Sequence, residues 1–342
     1  MNQGDETDAD AGQTPGDTRA ARRAASPRKR RRKGWVIALV MVLVPVLAVG
    51  GYLLYLNVLV SGNVKHAKLL PDSGPTDLSG KEITQPDKNG TNYLLIGNDG
   101  RDGVAGKRSD VMVLVHVPED RHNVTLVHFP RDLYVPIPGK GKNKLNAAYA
   151  FGGAPLLVST MQNMLGVKID HVAMTGFDGF QRMTDAVGGV DVQVEEASTS
   201  EGVEFRKGTM HMDGKTALTF VRERKQLSEG DISRGRRQQA FIKALMLKSL
   251  TPSTIANPVK LRGFLNAATT NLTVDNDLTV GKMRSEGFAM RGTRGGDIRF
   301  VTAPFSGFGR SPSGASIELV DGKKMTQLGT AIRTDTMDSY QE

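Results

Sequence analysis

Along the chain the first strong pattern is a run of uncharged, mostly apolar positions, WVIALVMVLVPVLAVGGYLLYL from Trp35 to Leu56. About 20 apolar residues let a helix cross a bilayer, so the run predicts one transmembrane helix over residues 34–57. Pro45 and Gly50–Gly51 are compatible with such a helix, and Trp35, Tyr52 and Tyr55 stand near its ends as interfacial anchors do. The polar leader ahead of the run and the run's length argue against a cleavable signal peptide. The basic block Arg28–Lys33 lies immediately before it. That order predicts a cytoplasmic N-terminus, an extracytoplasmic remainder and a single-pass cell-membrane protein.

After residue 57 the pattern changes twice. Residues 58–91 are polar and rich in Gly, Pro and Asp, which predicts an extracytoplasmic linker. Residues 92–333 then alternate between short strand-like and longer helix-like segments. The strands are expected at 92–97, 110–117, 123–129, 169–174, 190–194 and 297–302. The helices are expected at 154–165, 176–187, 213–221, 231–250, 258–268, 279–290 and 321–332. This mixed order predicts a single layered α/β/α domain with a central mixed sheet. Residues 334–342 read as a polar tail, and residues 1–33 as a disordered basic cytoplasmic leader.

Composition narrows the chemistry. The 342 residues include no Cys, which removes disulfides, thiolate metal sites and cysteine nucleophiles. No GxSxG elbow and no HExxH occurs, and the six histidines show no metal-ligand spacing. His116 and His128 fall inside strand-like runs and read as packed or surface histidines. The formal charge of +9 is partly concentrated in the leader. A leader of 33 residues with no helix-turn-helix pattern is too short to fold into a nucleic-acid reader. Membrane topology accounts for its basic block, and no nucleic-acid partner is expected.

The remaining charged motifs gather by geometry. If the strands near 92–97, 110–117 and 123–129 form an antiparallel meander, Asp99, Arg108, Asp110 and Arg131 fall at one end of the sheet. Two carboxylates and two arginines suit a Mg²⁺ (or Mn²⁺) and phosphate site. They suit equally the surface ion pairs Asp99–Arg101 and Arg108–Asp110. In FVRER, Arg222 and Arg224 share a face only if the chain there is extended. Within the helix expected from Asp231, the residues Asp231, Arg234 and Gln238 lie within about 60° of one another. Asp231 is also a good helix N-cap. The loop IPGKGKNKLN offers Lys144 and other lysines among glycines, without the spacing of a phosphate-binding P-loop.

These segments, in this order, resemble the LytR–CpsA–Psr family of cell-envelope proteins. The resemblance runs through YLLIGNDGR (93–101), KRSDVMVL (107–114), FPRDLYVPIPGKGKNKLNAAYAFGG (129–153), VGGVDVQV (187–194) and the block 212–245. It implies a Mg-dependent phosphotransferase that moves an anionic glycopolymer from a polyprenyl-pyrophosphate carrier to peptidoglycan through a phosphodiester. Carried over by motif position, Asp99 and Asp110 are expected to hold the metal. Arg108, Arg131, Lys144, Arg222, Arg224, Arg234 and Gln238 are expected to bind the pyrophosphate. Arg131, Arg222, Arg224 and Asp231 would take part in catalysis. The expected partners are the lipid-linked glycopolymer, peptidoglycan and membrane lipid. Two alternatives stand beside this reading: a polyprenyl-pyrophosphate hydrolase using the same residues, and a membrane-anchored transcriptional regulator.

Overall fold

A computed structural model describes residues 28–77, 79–84, 90–98, 109–223, 226–228, 230–249 and 251–341. The first elements in chain order are α1 (Arg28–Asn63), β1 (Lys65–Ala67), β2 (Thr91–Asn98), β3 (Ser109–Val117), β4 (Val124–His128), β5 (Leu133–Ile137), β6 (Gly141–Lys144) and α2 (Leu145–Leu165). There follow β7 (His171–Gly176), α3 (Phe177–Ala186), β8 (Val190–Val194), β9 (Ser198–Ser200), β10 (Val203–Phe205), β11 (Gly208–Met212), α4 (Gly214–Arg222) and α5 (Asp231–Ser249). The last are α6 (Pro252–Ile255), α7 (Pro258–Thr270), β12 (Thr273–Asp275), α8 (Val280–Ala289), β13 (Ile298–Thr302), β14 (Phe305–Arg310), β15 (Ser316–Val320) and α9 (Gly322–Arg333).

The chain divides into two compact units at Leu53/Leu54, and the fold described below is the second, Leu54–Glu342. Helix α1 carries the Trp35–Leu56 run, whose side chains are described only in part. Among the described residues no helix is long and apolar enough to cross a membrane.

A seven-stranded sheet in the order β1-β12-β7-β2-β3-β4-β13 forms the centre of the fold. It is mixed: β2 pairs antiparallel with β3 and parallel with β7, while β4 pairs antiparallel with β3 and parallel with β13. Alternation along β3 explains why both faces are covered. Met112 and Leu114 turn to the face packed by α2 and α9. Val111, Val113, Val115 and Val117 turn to the opposite face, where Phe180 of α3, Leu218 of α4 and Ile242 of α5 pack. A strand buried on both sides reads as an unbroken apolar run, as VMVLVHV does.

A second sheet, β14-β15-β5-β6, flanks the first. Helix α2 breaks at Gly152–Gly153, where Gly153 adopts a left-handed φ of +64° ahead of Pro155. The segment after this break begins at the residue where the helix was expected.

Two expectations about the domain's limits need correction. Part of the stretch read as a linker belongs to the folded unit. Lys65–Ala67 pairs parallel with Thr273–Asp275 as an edge strand, and Val64 and Leu69 are buried. The segment read as a polar tail is also docked. Met337 and Tyr340 are buried, and Arg299 donates to both of their carbonyls. Asp335 accepts from the backbone N–H groups of Gly90 and Glu119 and faces His116 at 2.8 Å.

Candidate active site

The β2–β3–β4 meander forms as expected, with Asn98 opposite Ser109 and Val113 opposite His128. The Phe129 N–H donates to the Met112 carbonyl at 2.9 Å. Continued past that bond, the count would put Arg131 opposite Asp110, but the ladder ends before the turn at residues 131–132. There the chain turns into β5. Asn146 N–H donates to the Arg131 carbonyl (3.1 Å) and Glu318 N–H to the Asp132 carbonyl (3.0 Å), so α2 and β15 both fix this turn.

The N-terminal half of α5 closes over the turn. Gly230, at φ +54°, ends the preceding loop, and its carbonyl accepts the first bond of the helix, from Arg234 N–H at 3.1 Å. Gly230 is therefore the cap and Asp231 the first helical residue. The N-cap reading of Asp231 is corrected accordingly. At Gly235 a Cβ would sit 3.0 Å from His128 Nε2, so glycine there lets α5 approach β4 closely.

The result is a cavity walled by His128, Arg131, Arg234, Arg236, Gln238, Thr302 and Glu318. Arg234, Gln238 and Glu318 are buried, and the Arg131 side chain is about one-fifth exposed at 19%. Burial, with the Arg234 guanidinium adding to it, lowers the His128 imidazole to about 4. His128 is therefore neutral near pH 7, and the cavity's positive charge comes from guanidinium groups alone. Arginine carries that charge at any physiological pH. Gln239 Nε2 donates to Thr302 Oγ1 at 2.9 Å, which ties α5 to β13.

Beside this polar cavity lies a narrow apolar channel of only about 20 Å³, lined by Val111, Phe180, Ala217, Leu218, Val221, Phe241 and Ile242, with Gln181 and Gly214. Gln238 borders both. Its Nε2 faces the Val221 carbonyl at 3.4 Å, joining α5 to the end of α4. One residue on, Arg222 closes α4 with an exposed side chain, and Glu223 leaves the helix in an extended conformation. Arg222 is thus helical, not extended as the two-residue spacing with Arg224 requires.

Arg131 also borders a wider groove with Tyr134, Lys142, Lys144, Asn146 and Phe151. Lys144 lies in this groove, not in the cavity of Arg234 and Gln238. Its ammonium pairs with Asp132 at 2.8 Å, and Asp132 also faces Arg131 Nε at 3.8 Å.

A sequence model of the LytR_cpsA_psr family matches residues 53–334. The chain belongs to that family. A polyisoprenyl-teichoic acid–peptidoglycan teichoic acid transferase TagU from Oceanobacillus iheyensis is 32% identical over 314 residues, covering 89% of this chain and 95% of that protein. A TagU from Bacillus anthracis is 34% identical over 232 residues, covering 66% of this chain and 74% of its own. Among solved structures, TagV of B. subtilis superposes with a TM-score of 0.62 at 26% identity, covering 75% of this chain and all of that one.

Of the residues that the LytR_cpsA_psr motifs single out, Arg131, Arg234 and Gln238 share one cavity wall. Asp110 opens β3 and Asp231 opens α5, but their side chains lie outside the described residues, as do Asp99, Arg108 and Arg224. Among the described residues no cluster of three or more His, Asp or Glu could hold a metal. Sequence reasoning missed His128, Thr302 and Glu318. His128 stands three residues before Arg131 on the return strand of the meander, so the register alone could have placed it at the site. Thr302 ends the strand expected at 297–302, but nothing in the sequence marks it or Glu318 as a site residue.

Proposed function

We propose that this chain is a membrane-anchored phosphotransferase that moves an anionic glycopolymer from a polyprenyl-pyrophosphate carrier to peptidoglycan. The observation that carries the reading is the shared wall at Gln238: an arginine-lined cavity opens beside an apolar channel. A ligand recognised by both, once the walls part to admit it, has a strongly anionic head and a hydrocarbon tail, which describes a prenyl pyrophosphate. The relatives named as teichoic acid transferases support the glycopolymer as the transferred group.

In this reading Arg131 and Arg234 grip the pyrophosphate, with Arg108, Arg222 and Arg224 completing the charge and Lys144 reaching it from the groove. An acceptor sugar hydroxyl attacks the glycan-linked phosphorus. The P–O bond to the second phosphate breaks, polyprenyl phosphate leaves with the bonding electron pair, and the hydroxyl proton passes to a base, for which Asp99 and Asp231 are the candidates. Positioning and charge neutralisation account for most of the catalysis in phosphoryl transfer. Guanidinium groups held in a cavity wall need little reorganisation as that charge develops.

Asp99 and Asp110 would hold Mg²⁺ or Mn²⁺. Two carboxylates supply the hard oxygen donors that such an ion takes, whereas Asp132 is engaged by Lys144. When bound, the metal supplies further neutralisation of phosphate charge. The uncharged run within α1 anchors the protein, with the N-terminus cytoplasmic and the catalytic domain outside.

The reading is tested by competitive binding to the full chain of farnesyl pyrophosphate, farnesol and inorganic pyrophosphate. Farnesyl pyrophosphate is expected to bind at least about 100-fold tighter than inorganic pyrophosphate, since its tail buries many methylene equivalents. Ala217→Phe, which fills the channel, should remove that advantage and leave pyrophosphate binding unchanged. Equal affinities for the two pyrophosphates would contradict the reading.

A further inference from the structure

We infer that the end of the folded unit formed by α1, α7 and α8 is a membrane-interfacial surface, seated in the headgroup region of the bilayer. This rests on the membrane-anchor reading above and adds a second, reversible contact to it. The chain enters the folded unit at Leu54, out of the apolar run.

Side-chain contacts fix the directions of the helices. Arg262 Nε donates to Tyr55 Oη at 2.6 Å, and Asn63 Nδ2 donates to Asn266 Oδ1 and Thr269 Oγ1, both at 3.1 Å. Helix α7 therefore runs in the same direction as the Leu54–Asn63 part of α1, and its first turn lies toward Leu54. Arg284 donates to Asn57 Oδ1 at 3.3 Å, while Val60 and Val280 pack in one cluster around Val64 and Leu278. Helix α8 therefore runs the opposite way, and its last turn arrives at the same end. Val259 stands about 4.5 Å beyond Arg262 and Phe288 about 6 Å beyond Arg284, both toward that end.

What the helices present there is apolar and exposed. Val259 is 76% exposed, Phe288 67% and Ile255 51%, in company with Leu54 and Val58, each at 68%. Large apolar side chains clustered on the surface of one end mark an interaction site. Charge selects the bilayer as the occupant. Helix α7 contains Lys260 and Arg262 and no acidic residue, and Arg291 lies over the Phe288 ring at 4.3 Å. The one carboxylate on α8, Glu286, is engaged by Arg121 at 3.0 Å. Exposed apolar residues edged by cations match an anionic lipid surface.

The placement also serves the apolar channel. Met290, two residues past Phe288, packs in the same cluster as the channel residues Phe180, Leu218 and Ile242. The channel's lining thus continues toward the end that meets the lipid.

The chain has no cysteine, so single labels are introduced without background. The full chain is reconstituted into phosphatidylcholine–phosphatidylglycerol vesicles with brominated acyl chains. An environment-sensitive dye is placed at Leu47→Cys, Val259→Cys, Phe288→Cys or Phe308→Cys. Phe308 is a control: it is 59% exposed but lies on β14. Bromine quenching at positions 47, 259 and 288, about twofold or more above that at 308, is expected for interfacial insertion. Quenching at 47 with 259 and 288 behaving like 308 would overturn the inference while leaving the anchor intact. A blue shift at 259 and 288 without quenching would assign the face to another protein chain and overturn it equally. Absence of quenching at 47 would sink the anchor reading, and this inference with it.

Discussion

Arg234, Arg236 and Arg237 are near neighbours on α5, yet their surroundings differ. Arg234 lines the cavity beside His128. Arg236 lies between that cavity and the neighbouring surface, 3.3 Å from Glu195. Arg237 turns away, stacks 4.5 Å from the Phe220 ring centroid and donates to the Glu196 carbonyl and Ser198 Oγ at 2.7 and 2.8 Å. Sequence spacing marked Arg234 as a site residue and could not separate the other two, because their roles depend on partners some 40 positions away. Arg234→Ala is expected to abolish transfer in protein that still melts cooperatively. Arg237→Ala should instead lower stability by about 3 kcal/mol, as removal of a buried, bonded charge does. Urea melts and product assays on both variants separate the two cases.

His128 supplies a pH signature at the same scale. Its folded-state value of about 4 lies below the ordinary 6.5, so the unfolded chain binds the additional proton between those limits. Stability therefore falls as pH drops from about 6.5 toward about 4, by at most about 3 kcal/mol from this group. His128→Asn should flatten that part of the profile, measured by urea unfolding at pH 7.5 and 5. An unchanged slope would show that other groups set it.

At the scale of elements, β2, β3, β4, β7, β8 and β13 were legible because each is a buried apolar or alternating run. The second sheet was not. Its strand β5 contains Pro136, and β6 reads GKNK with no apolar residue. These sequences are tolerated because β6 is an edge strand and β5 pairs with β15 only at Leu133 and Tyr134. Helix α9 shows a constraint that propensity alone would misjudge. Alanine at Gly329 would gain about 1 kcal/mol of helix propensity. Its Cβ, however, would collide with the Leu165 carbonyl at the end of α2. Backbone cannot step aside as a side-chain tip can, so Gly329→Ala should destabilise the protein by about 2 kcal/mol or more in thermal or urea unfolding.

For the whole molecule, the order of motifs predicted a mixed sheet with helices on both faces, and the β2–β3–β4 meander formed as expected. The channel could not be read in advance. Its lining comes from β3, α3, α4 and α5, and each contributes residues that also look like ordinary core. The domain's limits were misplaced for a similar reason. Three-residue strands such as β1 and β12 carry too few positions to show a period, and the segment after Arg333 is held by Asp335, Met337 and Tyr340, each a single residue among polar ones. Joining an anionic head site to an apolar tail site at Gln238 is the central claim about this molecule.

The most direct test incubates the purified full chain with a polyprenyl-pyrophosphate-linked teichoic acid precursor and peptidoglycan oligomers, with and without Mg²⁺, and analyses products by mass spectrometry. A glycan–phosphate–peptidoglycan adduct is expected together with polyprenyl phosphate, dependent on Mg²⁺ and lost in both Arg131→Ala and Ala217→Phe. Polyprenyl phosphate released at the same rate without acceptor, and no adduct, would contradict the transferase reading and identify a hydrolase.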